Sequence, residues 1–224
     1  MEELYRRFLN YLAVERGLAP NTLESYGRDL RMYGEFLSKL RGLSPIDGTQ
    51  ATIVSYLAHL KKTGRSTATI ARNLASLRSF YQFLVREGEL RTDPTVNLET
   101  PRGGRCLPKV LTVSEVELLL RQPNCGTSAG LRDKAMLEVL YATGVRVSEL
   151  VSLRVDDVNL RLGYIRCMGK GSKERIVPLG SVAAHYVGEY ISKVRDKLVK
   201  RVTEGALFVN LRGKPMTRQG FWKI

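Results

Sequence analysis

Cysteine is scarce in this sequence: Cys106, Cys125 and Cys167 make an odd number, with no Cys-x-x-Cys spacing. That argues against a disulfide framework or a thiolate zinc site and predicts reduced thiols in a cytoplasmic protein. Histidine is scarcer still. His59 and His185 each lack a neighbouring His, Cys or carboxylate at metal-ligand spacing, so no metal is implied. A Gly-x-x-x-x-Gly-Lys-Ser/Thr phosphate loop is missing as well, and no other feature calls for a cofactor. No apolar run approaches the ~20 residues needed to span a bilayer. The first residues, Met1 to Arg7, lack the apolar stretch of a signal peptide. A soluble protein with no membrane partner is expected. Acid is also in short supply, with 22 Asp plus Glu against 36 Lys plus Arg and a net charge of +14. Such an excess of cations points to a polyanion, most simply nucleic acid.

What is present suffices for a folded core. Hydrophobic residues make up 43% of 224, enough for one large domain or two small ones. From Leu4 to about Leu98 the chain reads as helices only. Leu4 to Glu15 puts Leu4, Phe8, Tyr11 and Leu12 on one face. Arg16 to Pro20 breaks this helix, and Asn21 or Thr22 is the expected cap of the next. That second helix carries Leu23, Tyr26, Leu30, Tyr33, Leu37 and Leu40 in register and ends at Gly42. Thr49 to Lys62 is a third. Ser66 or Thr67 opens a fourth, with Ile70, Leu74, Leu77, Tyr81 and Leu84 at helical spacing, which stops at Gly88. Residues 1–99 are therefore expected to form a small helical bundle.

Residues 100–109 hold two prolines, two glycines, Arg102 and Arg105 without periodicity, and are predicted to be an exposed linker. Residues 110–224 are expected to form a second domain. Thr112 or Ser114 opens a helix through Arg121, and Leu131–Ala142 and Val147–Leu153 follow. Two short β-like runs, Tyr164–Met168 and Arg175–Val177, come next, then a helix from about Ser181 to Lys200. Leu207–Val209 is a short strand or an extended piece, and Thr217 caps a final helix.

One stretch organises the second half. The helix before Gly144 stops there, as a C-terminal glycine dictates, and a new helix starts with Arg146 in its first turn. Gly169-Lys170-Gly171-Ser172-Lys173 then lies between the two β-like runs. An arginine at a helix start and a lysine at a hairpin tip suit one task, gripping a phosphate from two sides.

Ala142-Thr143-Gly144-Val145-Arg146-Val147-Ser148-Glu149-Leu150, followed by Gly169-Lys170-Gly171-Ser172-Lys173-Glu174-Arg175-Ile176-Val177-Pro178, closely resembles the tyrosine recombinases of the phage-integrase family, in particular the bacterial Xer type. The likeness runs over nearly the whole chain, to Met216–Trp222. It implies a mainly α fold with a small β-hairpin or sheet in the second domain: an N-terminal SAM-like helical bundle and a partial catalytic domain. It implies an enzyme that cleaves and rejoins DNA at specific sites through a 3′-phosphotyrosyl link, without metal or nucleotide cofactor. By the same resemblance Arg146 is the first catalytic arginine, Lys170 the lysine that protonates the leaving 5′-hydroxyl, and Glu149 a support that orients the arginine. The bland alternatives are an Arg146–Glu149 surface pair and a solvated turn lysine. The family pattern continues with a His-x-x-Arg segment, another His or Trp and the nucleophilic tyrosine. This sequence ends at Ile224, before any of them. None of its tyrosines stands in that context: Tyr141 and Tyr164 lie where patterning wants core, and Tyr26, Tyr33 and Tyr81 belong to apolar faces. A chain that binds DNA without cleaving it is expected.

Candidate DNA contacts follow from polar positions off the apolar stripes. Lys61, Lys62, Arg65, Arg72 and Ser76 accompany the fourth helix, and Arg28 the second. Arg102 and Arg105 lie in the linker, Lys173 beside the hairpin lysine, and Arg218 and Gln219 open the last helix. The resemblance implies duplex DNA with inverted-repeat half-sites. It implies a second identical or paralogous recombinase, as a dimer on DNA and a tetrameric synapse, and a DNA translocase of the FtsK type. Resolution of chromosome or plasmid dimers is the expected role. A phage or mobile-element integrase and a non-catalytic DNA-binding protein of the same fold are the alternatives.

Overall fold

The computed structural model describes residues 2–101, 103–104, 110–169, 174–199 and 205–224. The chain divides into two units, Met1–Leu107 and Pro108–Ile224. Its elements are mainly helical, with a small antiparallel sheet in the second unit, as the sequence predicts.

The first unit contains α1 (Glu2–Val14), α2 (Pro20–Arg41), α3 (Gln50–Lys62) and α4 (Thr67–Arg86). Their apolar stripes meet in one core. Phe8 of α1, Tyr33 and Leu37 of α2, Ile53 of α3, and Leu74, Leu77 and Leu84 of α4 are all fully buried. Helix starts follow local chemistry. Thr49 Oγ1 accepts the Thr52 amide at 3.3 Å, and Thr52 Oγ1 accepts the Thr49 amide at 2.9 Å, a reciprocal cap on α3. Ser66 Oγ accepts the Thr69 amide at 3.2 Å to open α4. α2 departs from expectation: it begins at Pro20 after Ala19, with no side-chain cap from Asn21 or Thr22. Proline at the first helical position has its φ preset and no N–H to satisfy, so less is left for a cap to do.

Between α2 and α3 the chain makes a 3-10 turn, Pro45–Asp47. The Tyr81 hydroxyl donates to the Pro45 carbonyl at 2.9 Å, which leaves the Tyr33 hydroxyl to donate to Tyr81, also at 2.9 Å. Gly48 sits against both hydroxyls, where a Cβ would collide with them.

The second unit runs α5 (Val113–Arg121), α6 (Ser128–Thr143), α7 (Val147–Ser152), β1 (Val158–Asn159), β2 (Tyr164–Met168), β3 (Glu174–Pro178), α8 (Ser181–Tyr190), α9 (Asp196–Leu198) and α10 (Arg218–Trp222). Among the described residues the strands pair antiparallel in the order β1-β2-β3, with Ile165 opposite Val177 and Cys167 opposite Arg175. The sequence marks only the hairpin of β2 and β3. β1 is two residues long, too short to show an alternation. Thr112 caps α5, and Glu115 reaches back to the Thr112 amide at 2.7 Å.

α6 packs on α8, and its Ala135, Met136 and Val139 are fully buried. Tyr141, expected in the core, is 58% exposed. It follows Val139 by two residues, about 200° around a helix, so the two cannot share a face. The long helix expected from Ser181 is interrupted by a π-turn, Ile191–Arg195. Its last residue, the buried Arg195, donates to the Ala206 carbonyl at 2.9 Å, beside the buried Leu207–Val209, which bends at Leu207 and Phe208 instead of running extended as the sequence suggests. There Phe208 stacks on Tyr190 at 5.5 Å.

Candidate DNA-contacting and phosphate-gripping site

The site is built where two helices meet in a sharp turn. α6 ends at Gly144, whose φ of +60° is a conformation a side chain resists. The chain reverses through the buried Val145, and Arg146 becomes the residue that precedes α7. Leu150 and Leu153 anchor α7 to the core. Arg146 therefore stands on a rigid corner with its side chain 69% exposed.

Glu149, one turn on, is buried and gathers three donors. Its Oε2 accepts the Arg146 amide at 2.8 Å and Arg175 Nη2 at 2.8 Å, and its Oε1 accepts Arg146 Nη1 at 3.1 Å. Burial alone would raise the Glu149 carboxyl. The Arg146 amide and the guanidiniums of Arg175 and Arg146 outweigh it and hold the carboxyl below its ordinary range. A guanidinium has five N–H donors, and Glu149 takes one of them from Arg146. The others have no partner among the described residues and can take an anion, and two arginines against one carboxylate leave the cluster a net positive charge. Oriented donors on a rigid corner are what a phosphate or a developing oxyanion requires.

Arg175 belongs to the site although the sequence marks it only as the start of a strand. Its role depends on register: it lies opposite the buried Cys167, one pair away from the loop end of the hairpin, and within reach of Glu149. Alternation along β3 alone does not reveal that. Lys170 and Lys173, expected from the sequence at a hairpin tip, lie outside the described residues, as do Arg102 and Arg105.

α10 packs against α7, and the exposed Arg218 and Gln219 stand in its first turn. Thr217 Oγ1 accepts the Gly220 amide at 3.0 Å and caps this helix. Trp222, at its end, is 87% exposed.

In the first unit Lys61, Lys62 and Arg65 are exposed, without a carboxylate partner among the described residues. Arg28 is exposed but pairs with Glu24 at 2.7 Å. Arg72 pairs with the buried Asp29. Ser76, expected to face solvent, is fully buried, and its hydroxyl donates to the Asn73 carbonyl at 2.8 Å. The reason is that α4 is enclosed on several sides. Phe80 meets Phe8 of α1, Arg72 meets α2, and Asn73 accepts the Tyr56 hydroxyl of α3. The buried arc is therefore wider than the apolar stripe.

The family models for the phage integrase N-terminal SAM-like domain and the phage integrase family match residues 6–88 and 109–224. The chain belongs to the phage integrase family. Tyrosine recombinase XerD of Oceanobacillus iheyensis is 50% identical, over all of this chain and 76% of its own length. Tyrosine recombinase XerD of Halalkalibacterium halodurans is 48% identical, over 98% of this chain and 74% of its own length. The chain is thus a tyrosine recombinase by family, an enzyme class that breaks and rejoins DNA, and it spans about three quarters of these relatives. Solved structures share the fold. A lambda integrase tetramer bound to a Holliday junction superposes with a TM-score of 0.73 at 16% identity, covering 99% of this chain and 60% of that one. XerH bound to a palindromic difH substrate gives 0.69 at 23% identity, over 90% of this chain and 60% of that one.

Proposed function

We propose that this chain is the DNA-binding part of a Xer-type site-specific recombinase and that Arg146 grips the phosphate to be cleaved. The observation that carries the reading is the corner itself: an exposed guanidinium braced by a buried carboxylate with three donors. Lys170 acts beside it as the acid for the leaving 5′-hydroxyl, and Glu149 orients the arginine. Lys61, Lys62, Arg65, Arg218 and Gln219 track the duplex, with Arg102, Arg105 and Lys173 as further backbone contacts.

The target is duplex DNA with inverted-repeat half-sites. Each half-site takes one protomer, and a second identical or paralogous recombinase completes a dimer on the site and a tetramer in synapsis. Likeness to relatives named XerD supports resolution of chromosome or plasmid dimers as the cellular role, with a translocase of the FtsK type as partner.

The 224-residue chain itself binds without cleaving. Tyr5, Tyr33, Tyr56, Tyr81 and Tyr190 are buried away from any phosphate, and Tyr141 is the most exposed of the ten tyrosines. The test is a nicked duplex carrying a two-armed recombination site, run on native and denaturing gels. A shifted band that detergent abolishes is the expected result. A detergent-resistant adduct, lost on Tyr141→Phe, would overturn the claim of inactivity. No shift at low salt, where phosphate contacts are strongest, would refute DNA binding.

A further inference from the structure

Asp29 is a carboxylate in the middle of α2 whose side chain has no exposure. Its Oδ2 accepts a hydrogen bond from Arg72 Nη1 on α4, and its Oδ1 has no hydrogen-bond partner among the described residues. Burial pushes this carboxyl up, and Arg72, with a smaller contribution from the neighbouring Ser76 side chain, pulls it back towards its ordinary range. A buried pair with one orphan oxygen is a poor device for stability, because apolar residues of the same volume generally serve as well or better. Its effect on Arg72 is more distinctive.

Nη1 of Arg72 is held by Asp29 and leans on the Ser25 carbonyl at 3.5 Å. The side chain is nevertheless 39% exposed, and Nε and Nη2 have no partner among the described residues. The guanidinium plane is thereby fixed, with two parallel N–H groups along one edge left free. Its charge is already neutralised by Asp29, so a phosphate gains little from it. Lys61, Lys62 and Arg65, exposed and without a carboxylate partner among the described residues, suit phosphates better. A fixed pair of parallel donors with little net charge matches instead two neutral acceptors on one planar edge, O6 and N7 of guanine in the major groove.

We infer that Arg72, braced by Asp29, is a specificity-determining residue that reads a guanine. This rests on the DNA-binding reading above. Asp29 is then a positioning residue that does not touch DNA.

The test begins with a pool of duplexes carrying a randomised segment, from which the wild-type chain selects its site. Single-base variants of that site are then measured with the wild type, Arg72→Lys and Asp29→Asn, over a range of salt. The wild type is expected to hold one guanine per half-site strongly. Arg72→Lys should flatten that position by roughly tenfold or more while other positions keep their preferences. Asp29→Asn should weaken the same position without changing the salt slope. A uniform loss across all sequences with the slope reduced by about one would make Arg72 a phosphate contact and overturn the inference. An unchanged profile in Arg72→Lys would make the pair purely structural. Should Asp29→Asn fail to fold, Arg72→Lys decides alone, since it keeps the charge that balances Asp29. A wild-type chain that binds no duplex at low salt takes the DNA-binding reading and this one down together.

Discussion

Glu149 concentrates the physics of the site in one carboxylate. Its folded pKa is lowered, so its stabilisation is present above the ordinary carboxylate value, about 4.3, and is lost as pH falls through the depressed value. Hydrogen bonds to a charged group contribute about 1.5–3 kcal/mol each, but both arginines are substantially exposed, so Glu149→Gln should cost only about 1–2 kcal/mol at neutral pH. Urea titrations at neutral and acid pH check this. The two proteins should differ at neutral pH and converge once Glu149 is protonated. A constant difference at all pH values would assign the cost to packing rather than to charge. At this scale the sequence was informative where one residue type has one use. Gly144 ends a helix and Arg146 follows it at the corner. It was silent where a role depends on a distant neighbour: Arg175 needs the strand register, Ser76 the enclosure of α4, and Tyr141 the packing of α6 on α8.

Elements were legible because their ends carry their own chemistry. Thr49, Ser66, Thr112 and Thr217 each cap the helix that follows, while Thr127 caps α6 at Ser128, three residues before the start expected at Leu131. The exceptions lack such a signal. α2 starts on proline, β1 is too short to alternate, and the π-turn after α8 keeps an apolar pattern that reads as continuous helix. The turn between α2 and α3 supplies a sharp test. Gly48→Ala would drive a methyl into the Tyr33 and Tyr81 hydroxyls, and overpacking of this kind costs about 1–3 kcal/mol. Urea melts should show that loss. Removing the obstructing hydroxyl with Tyr81→Phe in the Gly48→Ala background should cost less than Tyr81→Phe does alone, since it also relieves the clash. Strict additivity of the two substitutions would rule out the clash.

For the molecule as a whole, charge sets the first-order behaviour. A net charge of +14 is spread over two units matched by two family models. Duplex binding should therefore weaken steeply with salt. If six to ten phosphates are neutralised, affinity falls about 10³–10⁵-fold between 50 and 200 mM salt. Fluorescence anisotropy with labelled duplex over that range measures it, and a flat response would mean that the exposed cations do not track the backbone.

The exposure of Trp222 has an optical consequence. It is the chain's single tryptophan and is already surrounded by water in the folded state. Its emission should be long-wavelength before and after denaturation, so a melt followed at that signal should pass almost flat through unfolding. Tyrosine absorbance, with Tyr5, Tyr33, Tyr56 and Tyr81 buried in the first unit, is the band that should move. Indole emission is then free to report something else, the arrival of a duplex beside Arg218 and Gln219.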